Sequence, residues 1–454
     1  MAALWKRMLL VGGLVAFVAM AAIDVRATYG ARISVDEPQY LLTAISVGED
    51  FDLDISDELD EQRYRPFHES ELLQQTVELD ESGQRLSPHD PLFPILLALP
   101  MRLGGWVGTR VFMALLTGVA AALTLFLAER RFRVSAPTAT GVVAACFISP
   151  PLIAYGNQVY PAMPAAICVL VALVAIMGET RRLWWVGVLA VVALPWLAVK
   201  YVPLAAVLAG GLLCNVRRNQ RELVITVVSL VVCGVVYLVV HRQVYGGWTV
   251  YAAGDHFVDG EWQVIGTKIN IGGRTRRLVG LFVDRGFGLA AWAPAFLAAP
   301  AALTWMARTK RTGWHLLVVL VVVGWAVATW VALTMHGWWW PGRQVVPVVP
   351  LMVIALAAAV DGSRTRLIAL LTASAVAIFS WLWLVVEAST DRLTLIVDFR
   401  DTTNPLYRAW KYVLPDHQRF ELDNPALTIL WTVALVASCW AVWAKGRDTV
   451  ESST

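Results

Sequence analysis

The feature that most limits what this chain can fold into is a recurring pattern of long apolar runs broken by basic clusters. Apolar runs lie near 8–25, 106–128, 137–155, 159–177, 183–199, 201–215, 222–240, 287–306, 315–335, 344–360, 367–387 and 425–444. Most have the roughly 17–25 residues that a helix needs to cross the hydrocarbon core. In lipid the backbone must satisfy its own hydrogen bonds, so each run is predicted to be helical. Composition agrees: 58% of the 454 residues are hydrophobic and 16% are charged. A globular domain is nearer 45–50% and about 25%. Soluble, disordered and fibrous classes are excluded. A net charge of +3 is too small to argue for a nucleic-acid partner. The expected fold is an all-α polytopic membrane protein with about twelve transmembrane helices.

Basic clusters occur at Lys6/Arg7, Arg130/Arg131/Arg133, Arg181/Arg182, Arg217/Arg218/Arg221, Arg308/Lys310/Arg311, Arg364/Arg366 and Lys445/Arg447. They mark every second segment between runs. Basic residues favour the cytoplasmic side, so both termini are expected there. Segments 26–105, 241–286, 336–343 and 388–424 are then external, with the active face outward from the cytoplasmic membrane. Trp338, Trp339 and Trp340 fit the outer interface, where indole rings are favoured. Pro150, Pro151, Pro161, Pro195 and Pro203 predict broken or kinked helices between 137 and 215. Lys6/Arg7 before an apolar run also fits a signal peptide. Asp24-Val25-Arg26-Ala27 is a poor cleavage site, because charge intrudes where small neutral residues belong. The run is therefore read as a retained first helix. Cys146, Cys168, Cys214, Cys233 and Cys439 all sit in apolar runs and read as packing residues. No internal repeat divides the chain, which reads as one integral unit over 1–454 with a first external loop over 26–105.

The carboxylates carry the functional signal. Seventeen of the 34 acidic residues fall between Asp24 and Asp90, in or beside that first loop. A transporter would rather place its few charges at mid-membrane. Within the loop, Ser34-Val35-Asp36-Glu37-Pro38-Gln39-Tyr40 predicts a short helix with Asp36 and Glu37 at its start. Tyr40 lies one turn along the same side as Asp36. An ionised carboxylate there could act as a general base for a hydroxyl, or merely cap the helix. Ser87-Pro88-His89-Asp90-Pro91 leads into an apolar segment, 92–103, too short to span, which reads as an interfacial helix. His89 and Asp90 would face the same cleft as Asp36, with a plain turn role for Asp90 equally open. Asp50, Asp52, Asp54 and Glu61 match EF-hand positions, but Ile55 stands where glycine must turn the loop, so a solvated acidic surface is the better reading.

Cations at the outer helix ends complete the set. Lys200-Tyr201, Asp284-Arg285 and the turn from His336 through Trp338 to Arg343 all fall at predicted outer ends. Arginine at headgroup depth suits a lipid phosphate, although snorkelling to headgroups explains such residues too. No zinc motif, P-loop, hydrolase signature or dinucleotide fingerprint is present.

Taken together, the chain resembles the GT-C superfamily of membrane glycosyltransferases, of the protein O-mannosyltransferase and aminoarabinose transferase type. Asp36-Glu37 with Tyr40 resembles the acidic motif of that family's first external loop. Ser87 through Arg110, with Pro91-Leu92-Phe93-Pro94, Gly104-Gly105 and Thr109-Arg110, is similar to the approach to its second helix. Lys200-Tyr201 resembles a basic-aromatic pair at a corresponding turn. Phe282 through Gly288 and Trp338 through Pro350 look like segments of uncharacterised bacterial members. The resemblance implies a GT-C-like fold and transfer of a sugar from a polyprenyl-phosphate donor to a lipid or glycan acceptor hydroxyl, with inversion. It implies Asp36 as base with Glu37 beside it. Arg343, Lys200 and Arg285 would contact the donor phosphate, and Tyr40, His89, Asp90, Tyr201, His336 and Trp338 would line the substrate. Some members use a divalent cation such as Mg or Mn and others do not. The short tail after the last run argues against the oligosaccharyltransferase branch.

Two other classes fit the helix count. A transporter or lipid flippase is disfavoured by the missing repeat and the lack of mid-span charge. An O-antigen ligase or polymerase would carry its major outer loop late in the chain, whereas here it follows the first helix.

Overall fold

The computed structural model describes residues 2–79, 81, 83–178, 183–255, 270–419 and 425–444. The basic clusters Arg181/Arg182 and Lys445/Arg447, Asp80 of the acidic loop, and 256–269 of the second external segment lie outside them. Among the described residues the secondary structure is helical, with only isolated β-bridges besides.

Helix α1 (Ala2–Met20) is followed by the first loop, which holds α2 (Glu37–Glu49) and α3 (Ser56–Asp60). Next comes α4 (Leu92–Arg130), which is two helices joined at a kink. Gly104 (φ −144°, ψ 16°) and Gly105 (φ 57°, ψ −152°) leave helical geometry, and only glycine tolerates the second of these. The kink sits where the short apolar segment 92–103 was expected to give way to a span. Helix α1 packs along α4 at glycine: a Cβ on Gly118 would lie 2.4 Å from the Gly12 carbonyl oxygen. Small residues allow this close approach between membrane helices.

Helices α5 (Ala136–Phe147), α6 (Ala162–Ile176) and α7 (Trp184–Leu197) are short. As expected, α5 ends just before Pro150, α6 begins just after Pro161, and Pro195 lies in the last turn of α7. Helices α8 (Val202–Val216) and α9 (Gln220–Val244) follow, then the short α10 (Ile271–Thr275), α11 (Arg277–Val283) and α12 (Leu289–Trp292). The run 287–306, expected as one span, is instead broken. A 3-10 turn, Pro294–Ala298, separates α12 from α13 (Ala299–Thr309), with Pro294 and Pro300 in the first turns. Each proline removes an amide donor and so interrupts the ladder behind it. Helix α14 (Trp314–Ala326) runs on as one π-helical turn, Val327–Val331. Helices α15 (Val349–Val360), α16 (Arg364–Ser389), α17 (Pro405–Trp410) and α18 (Pro425–Ala444) complete the chain.

Seven helices among the described residues are long and apolar enough to cross a membrane, and four shorter apolar helices accompany them. The protein is thus a multi-pass membrane protein, although the number twelve is not reproduced. Helix α18 buries none of its apolar window.

Four of the basic segments gather at one end. Arg7 pairs with Glu129 at 2.6 Å. Arg311 donates to the Phe132 carbonyl and Arg308 to that of Val442. Asp361 accepts from the Ser135 amide and hydroxyl. The first loop and the turns at 199–201 and 336–344 meet at the other end.

Candidate functional site

Helix α2 begins with Pro38 in its first turn, and Asp36 occupies the cap position. The Asp36 side chain makes no capping hydrogen bond. It accepts one instead from the Arg343 guanidinium, far away in sequence. Burial alone would push the Asp36 carboxyl up, but Arg343 and then His89 outweigh it and hold the group well below the usual carboxylate range. His89 lies 3.8 Å from Asp36, and the Gln75 amide donates to its other oxygen at 3.4 Å.

Arg343 sits in an aromatic cradle, 4.0 Å from the Tyr160 ring centre and 4.7 Å from that of Trp339. Such stacking suits guanidinium better than ammonium. Tyr40 joins the cluster, its ring 4.4 Å from His89 and 6.2 Å from Tyr160. Lys200 donates to Gln344, the neighbour of Arg343, at 3.0 Å and lies 5.4 Å from the Tyr201 ring. The phenol oxygens of Tyr160 and Tyr201 are buried without a hydrogen-bond partner. Buried hydroxyls are normally satisfied, so these two are open to a polar ligand. The structure therefore brings together Asp36, Arg343, Lys200, Tyr40, His89 and Tyr201. It adds Tyr160, Trp339, Gln75 and Gln344, which sequence reasoning missed. Gln344 was one position from a chosen residue, and Tyr160 precedes one of the helix-breaking prolines.

Other expected residues are placed differently. The Glu37 carboxylate is fully enclosed and accepts from the Ser34 and Val159 amides at 2.9 and 2.6 Å. It ties the start of α2 to the turn before α6 rather than facing the cleft. Asp90, expected beside Asp36, turns inward. It accepts from the Val199 amide at 2.9 Å and the Tyr237 hydroxyl at 2.9 Å, and lies 3.1 Å from the His241 ring. Its effect on the site is indirect, because Val199 leads the turn that presents Lys200. Trp338 offers its carbonyl to Ser34, and the residue is 65% exposed.

Arg285 and His336 belong to a second cluster, built on buried Asp284. That carboxylate accepts from the Gly286, Phe287 and His417 amides, and His417 and His336 lie 3.3 and 3.5 Å away. Burial pushes the Asp284 carboxyl up, but the two histidines outweigh it and hold it well below the usual range. Arg285 donates to the Lys411 and Leu414 carbonyls and lies 3.9 Å from Asp416. A cavity of about 370 Å³ opens beside His336 and His417, with Arg274 and Arg277 in its wall. Both arginines donate to carbonyls where the π-helical turn ends, at Trp330, Ala332 and Leu333.

The donor set at Asp36 does not suit a divalent cation. A guanidinium already stands against the carboxylate, and the neighbouring acid, Glu37, is committed to backbone amides. Hard cations need several free oxygen ligands.

No family model and no curated relative matches the sequence. Solved structures do resemble the fold. The ArnT of Cupriavidus metallidurans bound to undecaprenyl phosphate matches with a TM-score of 0.52 at 14% identity, over 97% of this chain and 74% of that one. Its apo state matches with a TM-score of 0.51 at 18% identity, over 96% and 74%. The chain therefore shares the membrane fold of these structures.

Proposed function

We propose that this protein is a glycosyltransferase that moves a sugar from a polyprenyl-phosphate donor to an acceptor hydroxyl on a lipid or glycan, at the outer face of the cytoplasmic membrane. The observation that carries this reading is the Asp36–Arg343 pair, set among Tyr40, Tyr160, His89 and Lys200 at the loop end of the bundle. The fold supports it, as does the undecaprenyl phosphate bound by the similar ArnT.

Arg343 and Lys200 are the groups suited to the donor phosphate, through charge-assisted hydrogen bonds. The free phenols of Tyr160 and Tyr201 can donate to the same group. A phosphate on Arg343 competes with Asp36 for the guanidinium. Asp36 then becomes the stronger base, and only when donor is present. The acceptor oxygen attacks the anomeric carbon as Asp36 takes its proton. The bond from that carbon to the phosphate oxygen breaks on the opposite side, so configuration inverts. The departing phosphate keeps the electron pair, held by Arg343 and Lys200. No metal takes part in this sequence of steps.

The test is Asp36→Asn in purified protein, with radiolabelled sugar on a polyprenyl phosphate and thermal unfolding measured in parallel. Transfer is expected to fall by about 10²–10⁴-fold, the usual contribution of a general base, while unfolding stays cooperative. Undiminished transfer would remove Asp36 from this role.

A further inference from the structure

The acids of the first loop divide into two groups. Asp52 accepts from the Ser46 hydroxyl and the Asp54 amide. Asp54 accepts from the Ser56 amide and hydroxyl and from the Arg85 amide. These two hold the loop together, and Ile55, next to Asp54, is fully buried. The EF-hand register is therefore not adopted.

Asp50, Asp57 and Glu58 are arranged otherwise. One oxygen from each lies within 4.8 Å of the others. Asp50 follows α2 and Asp57 and Glu58 lie in α3, so the turn at Phe51 (φ 66°) folds one helix end back toward the other. Asp50 and Asp57 are exposed, but Glu58 is 1% exposed, and neither of its carboxylate oxygens has a hydrogen-bond partner. The nearby arginines serve other acids: Arg63 donates to both oxygens of Glu49 at 2.9 Å, and Arg85 pairs with Asp60. A buried carboxylate that accepts no hydrogen bond is costly, and proteins normally pair such a group, neutralise it or give it a metal.

We propose that Asp50, Asp57 and Glu58 form a site for a hard divalent cation, calcium foremost, in the first external loop. All three ligands are carboxylate oxygens, which select Ca²⁺, Mg²⁺ or Mn²⁺ over softer metals. Three carboxylates overcompensate a double charge, and the exposed side leaves room for water to complete the shell. Calcium tolerates such an irregular, partly hydrated arrangement better than magnesium does. The cation would fasten α2, whose start carries Asp36, to α3. The site is separate from Asp36 and takes no part in the proposed transfer.

The test uses the full chain in detergent, stripped with chelator and titrated with calcium by calorimetry. One calcium per chain is expected, with a Kd of about 10⁻⁴–10⁻³ M, as for extracellular modules, and with a rise in the unfolding temperature. Glu58→Gln keeps the shape and removes the charge. It is expected to fold at least as stably without calcium, and to weaken binding by about tenfold or more, as loss of a metal-site group does. Asp57→Asn is expected to weaken binding too, whereas Glu71→Gln, an exposed acid of the same loop, leaves affinity unchanged. The proposal is overturned if the wild type binds none of calcium, magnesium and manganese. It is equally overturned if Glu58→Gln binds as tightly as wild type. Sugar transfer is not read, so its failure and the failure of this site are separable.

Discussion

Asp36 is ionised at every pH at which the protein would work, because Arg343 and His89 hold its carboxyl well below the usual range against the opposing effect of burial. Its native pKa lies below the unfolded value of about 3.9. The stabilisation from the pair is therefore complete above about pH 5 and is lost only as pH falls toward the native pKa. The same electrostatics make Asp36 a weak base in the free protein. A donor phosphate that takes up the guanidinium would raise its basicity. The two kinetic parameters should then separate. The pH profile of kcat/KM, which reports the free protein, is expected to show no acid limb down to about pH 5. The profile of kcat, which reports the donor complex, is expected to fall at a higher pH. Coincident limbs in steady-state profiles taken over pH 4.5–8 would show that donor binding leaves Asp36 unchanged. The place of Asp36 at the start of α2 was legible in the sequence, because an acid before a first-turn proline suits a helix start. The enclosure of Glu37 was not legible. Its partner is the Val159 amide, and backbone amides leave no trace in residue type.

Elements place these residues, and two substitutions probe how. Asp90 links the loop before α4 to α9, through Tyr237 and His241, and to the turn that carries Lys200. Asp90→Ala orphans a buried amide, hydroxyl and ring, at about 1–3 kcal/mol for each group left unpaired. A lowered unfolding temperature is expected, with a rise in donor KM larger than the fall in kcat, because Lys200 is displaced but not removed. An unchanged KM would detach the turn from donor binding. The kink in α4 offers a cleaner pair. A Cβ on Gly104 or on Gly105 would meet no atom within 4 Å, so both substitutions report backbone geometry alone. Gly105→Ala is expected to cost about 1–3 kcal/mol because its φ and ψ suit only glycine. Gly104→Ala, at φ −144°, should cost well under half as much. Thermal unfolding of both variants decides the matter, and equal losses would mean that the kink is not set by Gly105. The break at Gly104-Gly105 was readable from the glycine pair and the short apolar segment before it. The break within 287–306 was harder to read, since Pro294 and Pro300 act on a run whose hydropathy never falters.

At the scale of the whole molecule, charge sorts the two ends, and this was the most legible property of all. Every second segment is basic in the sequence, and the structure draws four of those segments together. Arg7 meets Glu129, Arg311 reaches the Phe132 carbonyl, Asp361 holds Ser135, and Arg308 reaches α18. The acidic loop and the Asp36–Arg343 pair occupy the opposite end. What residue type could not reveal is how the outer cations divide. Arg285 and His336 also stand at outer turns, yet they gather at Asp284, where 284–288 packs against 411–417. The sorting of charge argues that the basic end is cytoplasmic, since Lys and Arg resist translocation. Single cysteines test this directly, because the five native ones lie within apolar helices. Glu71→Cys sits in the exposed first loop and Arg366→Cys at the exposed start of α16. In intact cells a membrane-impermeant maleimide is expected to label the first and spare the second until the membrane is permeabilised. The reverse pattern would invert the protein. The proposed site would then face the cytoplasm, and a donor presented in the outer leaflet could not reach Arg343.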